Sequence, residues 1–395
     1  MNDTRRGLLA PWQTVVLLVL VALGAASFAL GMGTGGAGVP GGMQRSLSSL
    51  LLSNFYFLSL SLVAAVLIAI HYLVSAGWFV VLRRVLESMT AYLPTGALLM
   101  MAVLLGLPHV YHWAGVGAHH DGALASKAAY LNSTGFIIRA VAFLAIWLWL
   151  AHRMVRESRR QDETGDLEHT RRNRRRSGVF AVLFALTFTL ATVDWLMSLE
   201  AEWYSTLFPW YVFSSVLVAG LCWTVMLVAW LRRSGVLPQV NEHHMHDLGK
   251  YVFAFSMFWG YLWYSQYMLI WYANIPEEVT HYVLREHHGW NTLFLVNAAV
   301  NVILPFFVLL PAVHKKNPRI LVACCGVLAL SHWIDLYLLV MPSSSAAGPR
   351  FGLTEVGIFL GTAALFLLRF DRSFRGASPV PTKDPYLEES LTHAG

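Results

Sequence analysis

The chain has 395 residues, of which 56% are hydrophobic and only 13% charged. Soluble domains carry about 25% charged residues, so a soluble fold is excluded. The unbroken Trp- and Leu-rich runs also exclude an outer-membrane barrel, whose strands alternate. The net charge of +6 is spread unevenly among the loops and bears on orientation.

A crossing helix needs roughly 20 apolar residues. Ten windows meet that requirement, near 12–32, 54–75, 92–109, 132–152, 178–199, 208–231, 250–273, 291–312, 319–341 and 353–370. The expected fold is an all-α integral membrane protein with ten transmembrane helices, two four-helix bundles plus two peripheral helices. Its units are the first span and outer loop (1–48), a first bundle (49–200), a second bundle (201–342), and the tenth span with a cytoplasmic tail (343–395). The longest connections, near 110–131 and 153–177, are too short for a soluble domain.

The first window follows "RRGLLAPW", the basic flank of a signal peptide. Its long apolar run without a small-x-small cleavage site reads instead as a retained span. "GMGTGGAGVPGG" comes next. It follows a membrane helix rather than a strand, so it is an outer loop and not a dinucleotide fingerprint. Arg5 and Arg6, Arg83 and Arg84, the run from Arg153 to Arg176, Arg232 and Arg233, Lys315 to Arg319, and Arg369 to Lys383 fall on one side. The other side holds Arg45, Lys127, Arg285 and Arg350. The positive-inside rule makes the basic side cytoplasmic and puts both termini there. "RRNRRRSG" is read as topology retention rather than a nucleic-acid or lipid site. Cys222, Cys324 and Cys325 lie inside spans without a CxxC, so thiolates build no iron–sulfur or zinc site.

Spans two to five echo spans six to nine. "YFLSLSLVA" from Tyr56 resembles "YVFSSVLVA" from Tyr211. Both helices end in a double arginine, outer loops carry His119–His120 and His287–His288, and the fifth and ninth spans hold Asp194 and Asp335. A parallel repeat follows, and repeated bundles place functional groups at matching depths.

A charge at the bilayer centre costs about 2.5–3.5 kcal/mol, so intramembrane polar residues mark pathways or sites. On the outer half these are Arg139, Asp194, His332, Asp335 and Glu355, with Glu200 just beyond the fifth span. On the inner half are His71 and the group His243, His246, Asp247 and Lys250. Ser256, Tyr261, Tyr264, Ser265, Gln266, Tyr267, Asn297 and Asn301 lie between them. Such a series suits a proton route or a quinol site, where a carboxylate or imidazole takes the protons as electrons leave. Plainer readings stand beside it. Asp194 pairs structurally with Arg139, His71 is a helix-packing hydrogen bond, and "EHHMHDLGK" is an interfacial cluster, a proton-entry mouth or a metal site. No facing histidine pairs have two-haem spacing, so no resident redox metal is expected.

"DWLMSLEAEWYSTLF", "HDLGKYVFAFSMFWGYLWYSQYMLIWYANIPEE" and "HWIDLYLLVMP" together resemble the ActF family, membrane subunits of alternative complex III within the wider NrfD and polysulfide-reductase group. The similarity covers nearly the whole chain. It implies a subunit of a bacterial quinol oxidoreductase whose acceptor is cytochrome c or a terminal oxidase. It implies partners as well: a second NrfD-like (ActC-like) subunit, an iron–sulfur subunit and multihaem cytochrome c subunits. Those partners hold the electron-transfer cofactors. The family's proton half-channels map onto His246, Asp247 and Lys250 inside, and Asp194, His332 and Asp335 outside. In the family the better-supported quinol site belongs to the ActC-type sister, while ActF subunits are labelled quinone-binding by similarity. The quinone is menaquinone or ubiquinone. Two rivals remain: a secondary transporter with a midplane site, marked by helices broken at matching points of both halves, and a purely structural anchor.

Overall fold

The computed structural model describes residues 8–33, 42–115, 122–345 and 348–394. Arg5, Arg6, His119, His120 and most of the glycine-rich loop lie outside them. Among the described residues every regular element is helical. In chain order these are α1 (Pro11–Gly33), α2 (Gly42–Leu73), α3 (Arg83–Met89), α4 (Leu93–Leu105), α5 (Leu107–Val110), α6 (Gly122–Lys127), α7 (Ser133–Thr164) and α8 (Glu168–Trp195). There follow α9 (Phe208–Arg233), α10 (Glu242–Ala273), α11 (Pro276–Val283), α12 (Trp290–Leu309), α13 (Ala312–Lys316), α14 (Pro318–Val340), α15 (Leu353–Arg375) and α16 (Leu387–Leu391).

Among the described residues, nine helical stretches are long and apolar enough to cross a bilayer, and the chain is a multi-pass, all-α membrane protein. The expected seventh span is α10. Its 32 residues are long enough, but Tyr, Ser, Gln and Trp dilute its hydropathy, and it is not one of the nine. It packs between α9 and α12.

Two expected boundaries are corrected. The third span does not run over 92–109. Helix continues from Gly77 through two 3₁₀ turns and α3 into α4, ending at Leu105. Arg83 and Arg84 are therefore not loop residues but buried ones. Arg83 pairs with Asp384 of the C-terminal segment, and Arg84 pairs with Glu87 and Asp162. Nor is 153–177 an open loop. α7 runs on to Thr164, turns at Gly165 in the left-handed region (φ 75°), and α8 begins at Glu168. Glu157, bonded to His169 and Arg176, ties the polar ends together. A hydropathy window does not register such helical extensions.

α2 is the central column, with every residue from Ser46 to Ala69 buried. Small residues let backbones approach where lipid supplies no hydrophobic drive between helices. A Cβ at Gly220 of α9 would lie 2.5 Å from Val63 of α2, so the two halves meet tightly there. On the flank, α1 packs on α15. Gly24 faces Gly361, four residues after Gly357, and a Cβ on Gly24 would meet the Gly361 Cα at 2.7 Å.

Helices α2, the α3–α4 stretch, α7 and α8 contact one another in the cyclic order first–second–third–fourth–first, and α9, α10, α12 and α14 do the same. The basic residues of α3, α7, α10 and the C-terminal segment share one face of the molecule, here called the basic side.

Candidate functional site

Asp335 lies on α14, more than a turn before its end, and is 2% exposed. Three neighbouring helices supply four neutral donors to its carboxylate. Tyr211 Oη (2.5 Å) and Asn297 Nδ2 (3.1 Å) donate to Oδ1, and Ser215 Oγ (2.7 Å) and Trp259 Nε1 (3.1 Å) donate to Oδ2. Among the described residues no cation pairs with it. The helical period explains the convergence. Tyr211 and Ser215 are four residues apart on α9, and His332 and Asp335 three apart on α14, so each pair shares a face.

Ser215 Oγ also lies 3.0 Å from His332 Nδ1, so one hydroxyl bridges carboxyl and imidazole. The network continues through Asn297, which receives Ser331 Oγ (2.9 Å) and Asn301 Nδ2 (3.2 Å). Beyond it, His332 Nε2, Asn301 Oδ1 and Ser256 Oγ are buried without partners among the described residues. Buried polar atoms are rarely left so; three on three helices of one bundle mark a polar, hydratable interior.

Away from the basic side, a cavity of about 10 Å³, about the room one water takes, lies between Asp335 and Tyr211 on one wall and Gln266, His281 and Arg285 on another. The far wall carries an ion cluster. Glu200 accepts from Arg285 Nη2 (2.6 Å) and sits 2.8 Å from His281 Nδ1. Burial, with the Arg285 charge beside it, holds the His281 imidazole below its ordinary range. His281 also stacks on Trp203 at 4.1 Å.

The expected counterpart, Asp194, is built differently. It is the penultimate residue of α8 and makes a two-pronged pair with Arg139 (2.7 and 3.1 Å). Arg139 also lies over the Tyr130 ring at 4.0 Å. Asp194 thus has a fixed counter-charge where Asp335 has neutral donors, so matching sequence positions do not bring matching environments. Glu355 is held likewise, by Arg45 (2.5 and 2.7 Å) and the Gly352 N–H (2.9 Å). His71 sits 2.6 Å from the Leu67 carbonyl and stacks on Phe79 at 3.5 Å.

On the basic side, Asp247 binds Lys250 Nζ (2.5 Å) and lies 2.7 Å from His393 Nε2. His246 is 3.9 Å from Asp247, and His243 faces the His393 ring at 6.4 Å. His244, absent from the expected set, caps α10 with Asn241, lies beside the His393 ring at 5.1 Å, and is driven by burial and the His393 charge down to about 4. No hydrogen bond among the described residues joins this cluster to the Asp335 network. Tyr264 is 58% exposed on the outer surface of α10 and has no hydrogen bond to the Asp335 network among the described residues. Ser256 and Gln266 face inward.

Sequence reasoning found Asp335, His332, Asn297 and Asn301, which meet, but missed Tyr211, Ser215, Trp259, His281, Arg285 and His393. Their spacing carried a signal for some: Tyr211 with Ser215, and His281 with Arg285, are four apart in otherwise apolar or loop segments. His393 lies in a tail without periodicity.

The cavity beside Asp335 does not admit a quinol ring. A second cavity, of about 220 Å³ between α2, α8 and α9, is walled by Phe180, Phe184, Phe188, Trp210 and Phe213 with no carboxylate or imidazole. No family model matches the chain, and no curated protein is significantly similar to it.

Proposed function

We propose that this chain is a non-haem membrane subunit of a bacterial quinol-oxidising respiratory complex, in which the α9–α10–α12–α14 bundle handles protons at Asp335. One observation carries the reading: a buried carboxyl set among four neutral donors, with no counter-cation among the described residues. Donors stabilise the anion and burial favours the acid, so such a group changes protonation state without breaking an ion pair. Asp194, held by Arg139, lacks that freedom.

The surroundings supply a path. The Ser215 hydroxyl donates to Asp335 while accepting from His332, or the reverse, and so passes a proton between them. On the other side the water-sized cavity leads to His281 and Glu200. With the basic side cytoplasmic, this path opens toward the outer face, and Asp247, His246 and Lys250 form the inner mouth. Both termini are then inside.

In this reading quinol chemistry and electron transfer belong to the partners, as the motif resemblance implies. Those partners are an NrfD-like sister, an iron–sulfur subunit and multihaem cytochromes, as the motif resemblance indicates. They also supply the energy, about 2.3 kcal/mol for each charge moved against 100 mV. The transporter reading lacks support: α12 runs as one helix through Pro305, and its counterpart α7 carries no proline and is also continuous, so no helices are broken at matching points.

The test is mild-detergent purification from native membranes through a tag on a linker after Gly395, with mass spectrometry and a haem spectrum. Co-purifying multihaem cytochrome, iron–sulfur protein and a second NrfD-like subunit support the proposal. A homogeneous, colourless protein that stays alone in several detergents overturns it.

A further inference from the structure

On the basic side, α7, the start of α4 and the end of α15 frame a cleft of about 950 Å³. Its walls are two-tiered. Toward the membrane they are apolar, formed by Leu93, Pro94, Ala145, Leu148 and Trp149. Above that tier stand four guanidiniums, those of Arg156, Arg159, Arg160 and Arg369, with His152.

None of the four arginines has a carboxylate partner among the described residues. Arg159 uses Nη2 on the Ser373 carbonyl and hydroxyl (3.2 and 3.0 Å), while its Nε is buried without a partner. Arg369 donates from Nε to the Ala91 carbonyl (3.2 Å). Two carboxylates also line the cleft: Glu87, bonded to Arg84, and Glu163 at the exposed rim. Positive charge is in excess: backbone and hydroxyl contacts instead of counter-ions hold Arg159 and Arg369, and Arg156 and Arg160 are exposed beside them.

We propose that this cleft binds an anionic diacyl phospholipid, its phosphate on the guanidiniums and an acyl chain along the Leu148–Trp149 wall. Arginine forks match phosphate oxygens, and their weak hydration makes them the side chain suited to that contact. Basic pockets between membrane helices on this side hold acidic headgroups. A free phosphate would use only the upper tier and leave the apolar one unexplained. A zwitterionic lipid would bring its own cation against four guanidiniums. The bound lipid bridges α4, α7 and α15, and so fastens the α2–α8 bundle to the flanking helix.

The full-length protein in mild detergent is titrated with phosphatidylglycerol, phosphatidylcholine or inorganic phosphate and read by native mass spectrometry. The expected result is selective retention of phosphatidylglycerol, undisplaced by equimolar phosphatidylcholine or by millimolar phosphate. An arginine near a membrane surface is worth about fivefold in affinity, so removing two weakens binding on the order of thirtyfold. The double variant Arg156→Gln/Arg160→Gln takes two exposed arginines and is compared at matched thermal stability. Equal retention of phosphatidylcholine, or displacement by phosphate alone, overturns the proposal on the wild-type protein without any variant. So does unchanged retention in the double variant, or a co-purifying protein that fills the cleft and excludes lipid.

Discussion

Replacing each of the two acids by its amide should separate structural weight from proton handling. At Asp335, Oδ1 receives Tyr211 and Asn297, and Oδ2 receives Ser215 and Trp259. An asparagine keeps one carbonyl and turns the other position into a donor. With its NH2 at the Oδ2 position, Ser215 rotates toward His332 and accepts, but the Trp259 N–H cannot turn away. With the NH2 at Oδ1, Tyr211 rotates, while Asn297 is fixed by Ser331 and Asn301. Either way one buried N–H is left facing another, which costs about 1–3 kcal/mol. At Asp194, the amide leaves Arg139 without its charge partner. Breaking a buried pair costs 3–5 kcal/mol, and the partial exposure of Arg139 puts this one near the lower end, about 3 kcal/mol. Thermal unfolding of the full chain in detergent should therefore rank Asp194→Asn as the more destabilised, with Asp335→Asn milder. A neutral Asp194→Asn beside a strongly destabilised Asp335→Asn would refute the reasoning about which acid is ion-paired.

Other outcomes follow from the same contacts. Gly361→Leu drives a side chain into the Gly24 backbone and should release α1 from α15, seen as new protease cleavage near Gly33 and a lower melting temperature. His244 stays neutral when folded because burial and His393 lower its pKa to about 4 from an ordinary 6.5. The unfolded or detached state then binds more protons at low pH. His244's contribution to holding the tail is complete above about pH 6.5 and lost progressively as pH falls toward 4. Hydrogen exchange of residues 376–394 should rise across that window, with Asp247, Lys250 and Asn241 as the other facing groups. Tyr264→Phe should change neither stability nor activity beyond about 0.5 kcal/mol equivalent, because its ring faces outward. A measurable loss of proton transfer would put Tyr264 back on the path.

The fold was readable because an apolar run of sufficient length has few alternatives to a crossing helix. What hydropathy could not show was helix without apolarity. Arg83 and Arg84 continue helix into the protein because Asp384 and Asp162 neutralise them from distant segments, with Glu87 pairing Arg84 from the next turn. Tyr264 stands apart from the Asp335 network for a reason that spacing shows: it lies about 140° around the helix from Trp259 at 100° per residue, whereas Gln266 lies close to the Trp259 face. Asp194 and Asp335 read alike in sequence, and only their partners distinguish them. Arg139 stands 55 positions from Asp194, and the four donors of Asp335 come from three helices. No local pattern reports which acid has a cation. The His393 contact with Asp247 spans 146 positions and has no periodic signal at all.

The most direct measurement of the central claim is the number of protons translocated per electron by the assembled complex in proteoliposomes, compared between wild type and Asp335→Asn at equal complex content. The account predicts that the variant still transfers electrons from quinol to acceptor with fewer protons per electron, while Tyr264→Phe keeps the wild-type ratio. An unchanged ratio in assembled Asp335→Asn would contradict a proton-handling role for this carboxyl and leave the chain as a scaffold.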